Sequence, residues 1–185
     1  MNYHHYRTNN IGSTLNSRFK ISAEADLDLP SPVDLSKRLF LVTGSDPFER
    51  TKLAVLLGKK IKQAHDLPVF YWTESDFIDQ RHQVWIYQRS ALNSGDESAT
   101  TNYFDHEENF HNFMGSPVLI FDHLGSSEGR PPGVVDEVIR IIWDRTFVSE
   151  LPTIIVGSLE RIQRAYDRNE LLARLLAEAC SLDAS

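Results

Sequence analysis

Four short apolar runs, separated by helix-patterned segments, constrain this chain more than any other feature. They are "RLFLVT" from Arg38, "LPVFYWT" from Leu67, "SPVLIFDHLG" from Ser116 and "LPTIIVGS" from Leu151. Each is short and nearly continuously apolar, as a strand covered on both faces should be. Between them, "PFERTKLAVLLGKKIKQAH" places Leu53, Val55, Leu56 and Ile61 at helical spacing. "ESDFIDQRHQVWIYQRSAL" reads as a second helix, with Thr73 and Asp76 spaced as a capping pair. "VVDEVIRIIWDRTFVSE" reads as another helix, and "LERIQRAYDRNELLARLLAEA" as one or two more. "NSGDESATTN" and "SSEGRPPG" read as loops, and "DHEENFHNFM" as a short helix. Strands alternating with helices imply an α/β fold with parallel strands and right-handed crossovers. Ligands in such sheets bind beyond the carboxyl ends of the strands. The informative positions are therefore Gly44 to Thr51, Asp122 to Gly125, and Gly157 to Ser158.

The chain has 185 residues, enough for one domain with a full core. Its net charge of −7 argues against a broad nucleic-acid-binding surface. No run approaches a membrane span, and "MNYHHYRTNNIGSTLNSRFK" lacks the apolar core of a signal peptide. Cys180 is the single cysteine, so no internal disulfide can form, and a cytoplasmic location is expected. Residues 1–37 are polar and read as an arm, partly disordered when free, whose Tyr3, Tyr6, Arg7, Arg18, Phe19 and Lys20 could dock on a partner. Residues 38–180 form the α/β domain, and 181–185 a tail.

The chemistry gathers at three strand ends. A phosphate-binding loop reads G-x-x-x-x-G-K-[ST], its amides cradling phosphates, its lysine reaching the terminal ones and its hydroxyl binding magnesium. Residues 44–51 keep the spacing, with Gly44 and Thr51 in place, Arg50 for the lysine and Glu49 for the second glycine. Arg50 keeps the charge as a bulkier planar fork. Pro47 removes one amide from the cradle. The same letters also spell a helix start: Asp46 as N-cap, Pro47 at the first helical position and Glu49 three residues after the cap. "VLIFDHLG" has the shape of a Walker B element, with Asp122 placed to hold magnesium. His123 stands where a water-activating glutamate is usual, and neutral histidine can accept a proton. Ser158 sits where a sensor for the terminal phosphate could lie, and equally where an N-cap belongs.

These elements, in this order, resemble the ATPase domain of AAA+ proteins in the DnaC/IstB group, the bacterial helicase loaders and transposition helpers, with DnaA initiators more distant. The resemblance runs from Arg38 to Leu176 and rests on "LVTGSDPFERTKLA", "PVFYWTESDFID" and "SPVLIFDHLG…VIRIIWDRTFVSELPTIIVGS". It implies a three-layer P-loop NTPase-like sheet flanked by helices. It also implies nucleotide contacts at Gly44, Arg50, Thr51 and Ser158, magnesium at Thr51 and Asp122, and catalytic work for Asp122 and His123 if the site is active. Arg174, in "NELLARLL", matches the arginine that such proteins offer to a neighbouring subunit's nucleotide. The departures are as informative: the loop lysine, the second loop glycine and the Walker B glutamate are all replaced. No lid domain is evident, the fifth strand is expected to be missing, and the edge of the first strand is expected to be left for the arm or a partner to cover.

Two further features have ordinary readings. "HEENFH" resembles a zinc helix, but His106 and His111 are wrongly spaced for one metal. Arg161, Arg164 and Arg168 share a helical face that could touch DNA phosphates, or be solvated and paired with Glu160, Asp167 and Glu170. The expected function is therefore a non-enzymatic replication accessory or regulator. It would contact a replicative helicase, a helicase loader or an initiator, with no tightly held cofactor. The rival is an active loader or transposition helper that uses ATP or ADP with Mg2+ and binds DNA.

Overall fold

The computed structural model describes residues 35–95, 97–126, 132–167 and 169–184. The arm up to residue 34, the "SEGRP" portion of the second loop and Arg168 lie outside that set. The four apolar runs form β1 (Leu39–Thr43), β2 (Val69–Thr73), β3 (Val118–Asp122) and β4 (Thr153–Val156). A fifth strand is present as well: β5 (Cys180–Asp183) pairs in parallel with β1. This corrects the expectation of a missing strand and of a tail beginning at residue 181. The strand order is β2-β3-β4-β1-β5, all parallel. β1 is therefore an interior strand, and its partner on that side is the chain's own.

Alternate residues of each strand divide between two cores. On one face Phe40, Val42, Val69, Tyr71, Val118, Ile120, Ile154 and Val156 meet a single helix, α1 (Pro47–His65), through Leu53, Val55, Leu57 and Ile61. Gly58 lets α1 approach: a Cβ there would lie 2.9 Å from Ile120 Cδ1. On the other face Leu39, Leu41, Trp72, Leu119, Phe121 and Ile155 are covered by the remaining helices. These are α2 (Glu74–Ser94), α3 (Glu97–Gly115), α4 (Pro132–Trp143), α5 (Leu159–Ala165) and α6 (Glu170–Glu178). The result is three layers, helix on sheet on helices.

The stretch expected as a loop and a short helix is mostly α3, longer than its polar sequence suggests, packed on α2 as a hairpin that turns at Gly95 in the left-handed conformation. The capping box at the start of α2 forms as expected: Thr73 Oγ1 accepts from Asp76 N at 3.1 Å, and Asp76 Oδ2 accepts from Thr73 N at 3.3 Å.

The far end of α3 is held by a residue the sequence did not flag. α4 runs into a turn of π-helix, Asp144–Val148, which directs Arg145 inward. Arg145 is completely buried. It donates to the carbonyls of Phe113 and Ser116, both at 2.8 Å, and of Met114. α3 has no basic residue in its own last turn, so Arg145 supplies the cation that its C-terminal carbonyls lack. Burial pushes the Arg145 pKa down to about 10, which leaves it charged at neutral pH.

Candidate functional site

α1 begins directly after β1, across the turn Gly44–Asp46. Gly44 has φ 143°, a backbone state that side chains disfavour, and the space beside it is bounded by Ala184. Asp46 is the N-cap of α1: its Oδ1 accepts from the amides of Phe48 at 2.7 Å and Glu49 at 3.4 Å. Pro47 has no amide to offer. Glu49 turns outward to Lys52, 3.0 Å away.

Arg50 is buried, and its Nη1 donates to the carbonyl of Gly44 at 2.5 Å. Its pKa is lowered chiefly by burial; Asp122 opposes that shift, Arg161 adds to it and Asp46 opposes it. Arg50 thus lies in the field of two carboxylates and a second cation at the loop's mouth.

Thr51 and Asp122, predicted as a pair, are brought together. The Thr51 hydroxyl donates to Asp122 Oδ2 at 2.7 Å and lies 3.1 Å from the Pro47 carbonyl. Asp122 is buried at the end of β3 and accepts two further hydrogen bonds. One comes from the Tyr71 hydroxyl at 2.6 Å, the other from the His123 amide at 2.6 Å. Three donors on one carboxylate fix its orientation. Tyr71 was not singled out from sequence, although its place two residues before Thr73 puts it on the α1 face of β2. His123 adopts φ 59° and is half exposed; its Nε2 lies 3.9 Å from Asp122 Oδ2.

The β4 end reaches the same rim. Ser158 occupies the N-cap position of α5 but makes no side-chain cap bond. Arg161 is exposed, and Gly125 packs against its backbone: φ is 89°, and a Cβ there would lie 2.8 Å from the Arg161 carbonyl carbon. Arg164 pairs with Glu160 at 2.5 Å, the local ion pair expected of a solvated face. Arg174 is exposed on α6. His106 is drawn into the α2–α3 seam against Gln80 while His111 is exposed, and no metal-binding cluster occurs among the described residues.

A second carboxylate lies behind the first. Glu74 follows β2 directly and is fully buried. It accepts from Ser126 Oγ at 2.9 Å and from the Tyr166 hydroxyl. The start of α2, the loop after β3 and the end of α5 are thereby tied together. From sequence Glu74 was only the first residue after a helix cap, with nothing to separate it from a solvated glutamate.

A five-stranded parallel sheet in this order, with a loop and helix after β1 facing an aspartate at the end of β3, is the P-loop AAA+ type of fold. Among solved structures the chain is similar to the DnaC helicase loader. The likeness has a TM-score of 0.55 at 17% identity and covers 82% of this chain and 81% of that one. It is also similar to AMPPCP-bound DnaA from Aquifex aeolicus, with a TM-score of 0.51 at 15% identity over 80% of this chain. The chain spans only 40% of that DnaA. At these identities the likeness is one of fold. No family model matches the chain, and no curated protein matches it in sequence.

Proposed function

We propose that this is a non-hydrolysing AAA+-type protein that regulates or assists DNA replication through contacts with a replicative helicase, a helicase loader or an initiator. The observation that carries the reading is the Asp46 carboxylate on the amides of Phe48 and Glu49. Those are the donors a polyphosphate would need at the N-terminus of α1, and a carboxylate already holds them. Pro47 removes another donor, and the Arg50 fork is engaged by the Gly44 carbonyl. The residues present do not fit a bound triphosphate, so no hydrolytic step is assigned to them. The scaffold that positions Arg174 on α6 is intact, and that arginine is the group we expect a partner's nucleotide site to receive.

Calorimetric titration with ATP and Mg2+ tests the reading. The expected result is no saturable binding below about 1 mM, corresponding to a binding free energy weaker than about −4 kcal/mol. Micromolar binding that disappears in Arg50→Ala would sink it. The partner is sought by retrieval from host extract. A helicase, loader or initiator is expected, and Arg174→Ala should leave retrieval intact while abolishing any change in that partner's ATP turnover. Recovery of none of these proteins counts against the replication assignment.

One observation favours a second reading, an active helicase loader or transposition helper. The Thr51 hydroxyl and Asp122 carboxylate meet at 2.7 Å, and these are the two groups that would hold magnesium. That reading requires magnesium-dependent hydrolysis, stimulated by single-stranded DNA and lost in Asp122→Ala. It fails if there is no turnover with DNA and partner present. Among the described residues no helix is long and apolar enough to cross a membrane. We place the protein in the cytoplasm with the replication machinery.

A further inference from the structure

The seam between α2 and α3 is apolar at one end only. At its base the Phe77 ring lies 5.8 Å from that of Phe110 and 5.2 Å from that of Phe113, and Arg145 fixes the end of α3. From Arg81 and Asp105 outward to the turn at Gly95, the only buried apolar residues among those described are Val84 on α2 and Ala99 on α3. The outer half of the hairpin therefore needs some other tie to stay closed.

A polar pair stands at the boundary between the two halves. Gln80 is completely buried. Its Nε2 donates to the His106 carbonyl at 2.8 Å and lies 2.7 Å from His106 Nδ1. A carbonyl can only accept, so the Gln80 side chain must present its NH2 group here. The second hydrogen of that group is left for Nδ1, which must then be the accepting nitrogen of the ring. His106 is therefore neutral in this arrangement, with its proton on Nε2. Tyr87 stacks on the ring at 5.3 Å between centres and holds it from one face.

The arrangement does not accept a second proton. A proton on Nδ1 would set N–H against N–H across 2.7 Å. Turning the Gln80 amide over would bring Oε1 to Nδ1, but it would also set Oε1 against the His106 carbonyl and lose that bond. The NH2 group would move to where the buried Oε1 now finds no hydrogen-bond partner. Neither orientation of the amide satisfies a charged ring.

We propose that Gln80 and His106 form a proton-operated latch on the outer half of the α2–α3 hairpin, closed while the ring is neutral and released when Nδ1 takes a proton. The aromatic base and Arg145 stay in place, so release loosens the hairpin from its tip and leaves the sheet intact. The titratable and charged groups around the pair are Tyr87 and Arg81 from α2, and Tyr103, Asp105 and Glu107 from α3. Arg81 is taken up by Glu137 of α4 at 2.7 Å and by the face of Phe110, and Tyr103 is bonded to Glu107. Burial holds the His106 ring below the ordinary histidine value of 6.5, and the charge of Asp105 opposes this without reversing it. The opened hairpin thus binds the proton more readily than the closed one. Closure is at full strength above about pH 6.5 and weakens as pH falls through that value toward the lower pKa of the closed form.

Hydrogen exchange read by mass spectrometry tests this on the full chain at about pH 7.5 and about pH 5.5, on either side of the histidine range and corrected for the intrinsic pH dependence of exchange. Peptides covering residues 81–105 are expected to lose about tenfold in protection at the lower pH, the weight of one hydrogen bond. Peptides covering β1, β3 and β4 should keep theirs. His106→Asn retains an acceptor near the Nδ1 position and takes up no proton, so its hairpin should be equally protected at both values. His106→Gln replaces it if circular dichroism shows that the asparagine variant is not folded. Imidazole NMR of the wild type, with His106 assigned by its absence from the variant's spectrum, should show the Nε2–H tautomer and a midpoint below 6.5. Unchanged protection in the wild type at the lower pH, an equal loss in His106→Asn, or a His106 midpoint above 6.5 would each overturn the proposal.

Discussion

Arg145→Ala is expected to destabilise the protein by about 3–5 kcal/mol, the range seen when a buried charged partner is removed. The carbonyls of Phe113, Met114 and Ser116 would lose the guanidinium, Phe113 keeping its bond from the Ser116 hydroxyl, and a cavity would replace the buried side chain. For a chain of this size the loss corresponds to a fall of about 10 °C in melting temperature. Arg145→Lys should fall between the two, because one ammonium cannot present a fork to three separated carbonyls. Arg164→Ala is the control. Its ion pair with Glu160 is solvent-exposed and should contribute less than about 1 kcal/mol. Urea unfolding of the four proteins measures the series. If Arg145→Ala unfolds within about 1 kcal/mol of wild type, Arg145 is not what anchors α3.

The second large effect concerns the loop after β1. Glu49→Gly with Arg50→Lys restores the full phosphate-loop lettering, and ordinary motif logic would expect nucleotide binding to return. The structure predicts otherwise: the double variant should stay weak, because Asp46 still holds the α1 amides. Adding Asp46→Gly should then raise ATP affinity at least tenfold. A carboxylate about 4 Å from a phosphate costs up to about 4 kcal/mol at an effective dielectric near 20, and solvent screening reduces this. Calorimetry on the wild type, double and triple variants separates the terms. If the double variant alone reaches micromolar affinity, Asp46 is not the barrier.

Most of the architecture was legible in the sequence because it rests on patterns that survive without context. The four apolar runs are strands, and the bounds of α1 are those its cap and spacing imply. The Asp46 cap and the Thr73–Asp76 box were legible for the same reason, since capping is decided within four residues. The misses have a different cause. β5 is "CSLD", short and half polar, and becomes a strand because β1 offers it an edge. The first half of α3 is polar because one side of it faces solvent, which makes it look like a loop.

In the site, Thr51 and Asp122 were found by spacing, but Tyr71, Glu74 and Tyr166 were not. Their roles come from strands and helices far apart in sequence meeting at one end of the sheet. Arg145 was missed because arginine in a helical stretch is ordinarily read as solvated. Only the end of α3 explains its burial.

The position of β1 also sets an order of events during synthesis. It is the earliest strand of the described chain, yet it lies between β4 and β5, the last two made. Its apolar "LFLV" emerges from the ribosome long before either neighbour exists. Until the second half of the chain appears, it can be covered on one face by α1 but cannot pair along either edge. Sheet closure must therefore wait for β4 and β5, and its rate is governed by long-range pairing. A ribosome-stalled fragment ending before β4 would expose an unpaired apolar strand, a natural target for a chaperone or for aggregation.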